Sequence, residues 1–127
     1  MDKNQSKQIA EALGLYEKQD GFLAFWFSPE GWKITLPGGR FVVGKDLEVW
    51  LESPAGEKAV RDKVRELCKE LGLSFIYHWA YWGGRVTDSN RIIFKASRDR
   101  EYPTRVCDTE SSAWLAALEF LVERKGK

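Results

Sequence analysis

The run Leu73-Ser74-Phe75-Ile76-Tyr77-His78-Trp79-Ala80-Tyr81-Trp82 narrows the possible folds further than any other feature of the chain. It is too short for a membrane helix, which needs about 18 apolar residues. It is also too rich in aromatic and β-branched side chains for a surface helix. As a strand it points Phe75, Tyr77, Trp79 and Tyr81 one way, and Ile76, His78, Ala80 and Trp82 the other. Both faces are substantially apolar. Such a strand is covered on both sides, or its second face meets a partner.

The flanking segments supply the cover. Ser6–Leu13 places Ile9, Ala10 and Leu13 at helical spacing, and Gly14 suits the helix end. The aromatic run Gly21–Phe27 reads as a strand between Asp20-Gly21 and the turn Ser28-Pro29-Glu30-Gly31. Trp32–Leu36 alternates like a half-buried strand, residues 28–31 form a hairpin loop, and Arg40–Val43 is a third short strand. Asp46–Leu51 is read as a helical turn. Ser53-Pro54 opens the clearest helix, with Val60, Val64, Leu67, Cys68 and Leu71 on one stripe and Gly72 at its end. Gly83–Asn90 reads as a polar, glycine-rich connector, Arg91–Ala96 as a returning strand, and Ser97–Arg105 as a loop or edge segment. Asp108 or Thr109 caps a last helix that buries Trp114, Leu115, Leu118, Leu121 and Val122. Short connections favour antiparallel neighbours. The predicted fold is therefore α+β: a single-domain α/β/α sandwich over residues 1–127, mainly antiparallel, with helices on both faces and frayed ends at 1–5 and 124–127.

Composition limits the function. The 127 residues are 43% apolar with net charge +1, which argues against disorder. No stretch suits a membrane span, and the polar start lacks a signal peptide, so a cytoplasmic protein without membrane contact is expected. Two cysteines and one histidine make neither a disulfide framework nor a four-ligand zinc site, and no cofactor or metal is expected. Six tryptophans among seventeen aromatic residues are a heavy load, since each ring can bury roughly 150–250 Å². Some rings should reach the surface and mark a contact site.

Motifs for catalysis are weak. His78 could join Ser74, Ser89 or Cys107 and Asp88 or Asp108 in a triad, yet there is no G-x-S-x-G elbow, and the plainer reading is a partly buried, packed histidine. Gly38-Gly39-Arg40 and Gly83-Gly84-Arg85 could cradle an anion, but neither opens a helix as phosphate loops do, and glycine pairs are commonly turns. No catalytic residue is assigned. Trp79, Tyr81, Trp82, Arg85, Arg91 and Tyr102 combine the residue types enriched in binding hot spots, and they are the expected contact surface. The expected partner is a protein or a second copy of the chain. The alternative is a nucleotide or oligonucleotide, stacked on the same rings and neutralised by the same arginines.

Ala10-Glu11-Ala12-Leu13-Gly14, the Pro37-Gly38-Gly39 turn, the amphipathic central helix, the aromatic strands and Cys107–Glu119 (CDTESSAWLAALE) together resemble the small phage ABA-sandwich domain proteins. The resemblance implies an α/β/α sandwich of phage or prophage origin, working in the host cytoplasm with host defence or regulatory machinery as a target class. It implies no activity and transfers no catalytic residue.

Overall fold

The structure is a computed structural model that describes residues 3–82, 85–96 and 100–126, with side chains for these apart from residues 3, 79–82 and 85–89. Along it run α1 (Lys3–Ala12), β1 (Tyr16–Asp20), β2 (Leu23–Phe27), a 3-10 turn (Gly44–Asp46), α2 (Leu47–Glu52), α3 (Pro54–Leu71), β3 (Ser74–Trp82), β4 (Arg85–Lys95), β5 (Glu101–Pro103) and α4 (Glu110–Lys125). The fold is α+β and the sheets are antiparallel. Strands that the sequence suggests for one sheet fall into two, β1-β2 and β3-β4-β5. Two compact units divide the chain, residues 1–59 and 60–127, each with its own sheet. Helix reaches further towards both ends than expected, from Lys3 and as far as Lys125.

In the first unit, β1 and β2 pair from Tyr16↔Phe27 to Asp20↔Leu23. Gly21 turns the hairpin with φ 70°, a sign that a side chain would resist. The sequence gives no hint of β1, because Tyr-Glu-Lys-Gln-Asp lacks apolar alternation and all five residues are exposed. Its strand character comes from the partner. Residues 32–36 and 40–43 join β2 through the single bridges Phe27↔Lys33 and Phe25↔Val43, and each other through Thr35↔Phe41, in place of two full strands. Backbone hydrogen bonds converge there: Ile34 N donates to Trp26 O (3.1 Å), Trp26 N to Val42 O (3.0 Å) and Val42 N to Ile34 O (3.2 Å). Trp26, Ile34, Leu36 and Val42 are buried, so the expected alternation holds from Ile34 onward, with Trp32 exposed at its start. The turn at residues 28–31 is closed by Ser28 N donating to Trp32 O (2.8 Å).

Asp46–Leu51 resolves into the 3-10 turn and α2, which buries Leu47, Trp50 and Leu51. Ser53 then caps α3 as its sequence predicts, with its Oγ accepting from Gly56 N (3.3 Å) and donating to Trp50 O.

In the second unit, α3 buries Val60, Val64, Leu67 and Cys68. β3 and β4 pair from Ser74↔Lys95 to Trp82↔Arg85, with an irregularity between Trp79 and Tyr81. Residues 85–90, expected in a connector, are therefore strand. Asp88, Ser89 and Asn90 have low strand propensity, but the ladder to β3 overrides it. Gly83 and Gly84 lie outside the described residues. β5 is the edge strand, and Thr104 extends its attachment, with Oγ1 donating to Ile92 O (2.8 Å) and accepting from Ile92 N (3.2 Å). Thr109 caps α4, its Oγ1 accepting from Ser112 N (3.1 Å).

Candidate interaction surface

Strand alternation sorts the second unit's rings. Phe75, Tyr77, Ile92, Phe94 and Tyr102 share one face of the sheet, and α4 packs on it. Trp114 of α4 meets Phe75 edge-on (5.6 Å between ring centres) and stacks with Tyr77 (6.2 Å). Phe120 stacks on Phe94 (5.3 Å) and leans on Tyr102 (6.0 Å). Asn90 is buried beside them. It accepts from Tyr77 Oη and donates through Nδ2 to the carbonyls of Cys107 (3.4 Å) and Asp108 (3.2 Å). These rings form a core. The other face carries Ser74, Ile76, His78 and Lys95, all exposed, with Arg91 and Ile93 half-buried. Of the helices expected on both faces, the described part of this sheet shows α4 on one, and the second is open.

Two of the expected contact residues, Arg91 and Tyr102, lie on opposite faces of that sheet. Arg91 is opposite His78 on the open face, whereas Tyr102 is opposite Phe94 on the face under α4. The Arg124 guanidinium lies 4.5 Å from the Tyr102 ring centre. Hydrogen bonding from Arg124 holds the Tyr102 phenol below its ordinary value; desolvation opposes it, and Arg100 adds a smaller lowering effect. Trp79, Tyr81 and Trp82 occupy positions in β3 and Arg85 opens β4, but their side chains lie outside the described residues. His78 is a correction: expected to be partly buried, it is exposed, on the face away from α4.

Among the described residues, the exposed aromatic rings are in the first unit. Among the described tryptophans, Trp26, Trp50 and Trp114 are buried, while Trp32 is 65% exposed. Phe22, at the hairpin tip, is fully exposed (103%), next to Leu23 at 54%. Behind them the outer face of the hairpin carries Tyr16 stacked on Phe27 (5.4 Å) and Phe25 edge-on to Phe41 (6.0 Å). Tyr16 and Phe41 are each more than two-fifths exposed. Lys33 crosses this face, its Nζ 4.2 Å from the Phe25 ring centre, 5.1 Å from that of Phe41 and 2.9 Å from Asp20 Oδ2. The cation is thus already neutralised and half-covered by rings. Sequence reading passed over this surface, although the same period-two argument applied to residues 22–27 puts Leu23, Phe25 and Phe27 opposite Trp26.

On its inner side the same unit holds a cavity of about 340 Å³ lined by Ser6, Lys7, Glu17, Trp26, Gly44, Lys45, Leu47 and Glu48. Among the described residues no group of three or more His, Cys, Asp or Glu is placed to hold a metal ion. Cys68 and Cys107 are free and buried, and burial pushes the Cys68 thiol up to about 11, which suits a small core residue and not a nucleophile. No described helix is long and apolar enough to cross a membrane. Compared with known proteins, the chain matches no family model, no curated protein and no solved structure.

Proposed function

We propose that the chain is an interaction module that binds a protein partner through the first unit's outer aromatic face, with Phe22 as its projecting knob. The observation that carries this reading is the exposure of Phe22, Leu23, Phe41 and Tyr16 within some twenty-five residues of sequence, beside rings that are only half-covered. Clustered apolar exposure of this kind marks contact sites in folded proteins. On this face Asp20 holds Lys33 and the rings outnumber the remaining charge at Lys18, which favours a protein over a nucleic acid. The resemblance to small phage ABA-sandwich domain proteins fits such a role, with host defence or regulatory proteins as the target class; this part rests on sequence resemblance alone.

The test is selection of a displayed protein-fragment library on the intact chain, with each binder retested on Phe22→Ser/Leu23→Ser at low and high salt. Both replaced residues are exposed, so the melting temperature should stay close to that of the parent. Burying one such side chain contributes about 1.5–3 kcal/mol, so each binder should lose at least tenfold in affinity. Salt should change that affinity little. Steep loss with salt would point to phosphate contacts and the nucleotide alternative.

A further inference from the structure

The cavity behind the hairpin is built as ligand sites are, with an apolar floor and a charged rim. Ser6, Trp26 and Leu47 are buried at its floor, while Lys7, Glu17, Lys45 and Glu48 are exposed around it. Its walls come from α1, both strands of the hairpin, the 3-10 turn and α2, so five elements fix its shape. A second observation is independent of its volume: the Trp26 indole N–H is enclosed and has no hydrogen-bond acceptor among the described residues. Buried indoles ordinarily find one, so Trp26 is a lining residue with an unmet polar group.

The charges say what kind of molecule would fit the cavity. Lysines on α1 and the 3-10 turn attract a carboxylate, Glu17 on β1 attracts an ammonium group, and the indole and Leu47 between them offer an apolar seat. We infer that this cavity binds a small zwitterion with an apolar body, of which an aromatic α-amino acid is the simplest case. A simple amine or a simple acid satisfies only one side of the rim and leaves the other unanswered. The inference does not depend on the outer face, because Glu17 and Trp26 lie on the opposite side of the hairpin from Tyr16, Phe25 and Phe27.

The test titrates L-phenylalanine, phenethylamine and 3-phenylpropanoate separately into the isotope-labelled full chain, followed by amide and indole N–H resonances. L-Phenylalanine should shift the amides of Glu17, Lys45 and Leu47 and the Trp26 indole proton saturably. The amine and the acid should each bind roughly tenfold more weakly or worse. Lys45→Glu, an exposed change that should leave the spectrum's dispersion intact, should abolish the L-phenylalanine shifts. The inference is overturned if L-phenylalanine gives no saturable shift, if either half-molecule binds as tightly, or if the shifts map away from the cavity.

Discussion

A single methyl group at Gly56 separates local propensity from packing. Gly56 sits in the first turn of α3, where alanine ordinarily gains up to about 1 kcal/mol of helix stability. Here a Cβ would run into the carbonyl oxygen of Trp50 and lie 2.7 Å from Leu51 Cα, so the turn between α2 and α3 tolerates no side chain. Gly56→Ala should therefore destabilise the chain by about 2–3 kcal/mol, measured by chemical denaturation. Cys68 gives a second prediction of definite sign. Its thiol pKa is raised from 9.0 to about 11 by burial, so the unfolded chain loses this proton first as the pH rises. The stability this residue contributes is complete below about pH 9 and is lost as the pH climbs to about 11, amounting to about 3 kcal/mol. Denaturation across that interval should show a steeper fall for the wild type than for Cys68→Ala, whose shared lysine and tyrosine titrations cancel in the comparison.

Elements whose sequence carries its own start and stop were legible. Ser53-Pro54 and Thr109 both cap the helices predicted from them, and the stripes from Val60 to Cys68 and from Trp114 to Leu121 are buried as their spacing requires. β1 and the first half of β4 were not. Tyr16–Asp20 and Arg85–Asn90 are polar, and only their pairing with β2 and β3 makes them strand. Asn90 shows how such a segment is held: its side chain links Tyr77 on β3 to the carbonyls of Cys107 and Asp108 just before α4. Asn90→Ala leaves those groups unmatched. It should cost about 2–3 kcal/mol and lower hydrogen-exchange protection in β3 and the first turn of α4 before that of α3.

At the scale of the whole molecule, counting aromatic residues predicts that some rings stay exposed but does not say which. Phe75 and Phe25 are alike in sequence, each set in an aromatic strand. Phe75 meets Trp114 of α4, whereas Phe25 meets Phe41 and a lysine on a face that solvent still reaches. The difference is made by a helix more than thirty residues away in sequence, and no local pattern records it. For the same reason Arg91 and Tyr102 look like neighbours along the chain but face opposite sides of one sheet. The proposed recognition surface lies within residues 16–41. Site-specific photocrosslinking in cells tests this most directly, with a benzophenone side chain at position 22 in one chain and at position 76, on the open face of β3, in another. Discrete polypeptide adducts from position 22 and none from position 76 are the predicted result. Adducts from position 76 alone, or a position-22 adduct that proves to be nucleic acid, would contradict it.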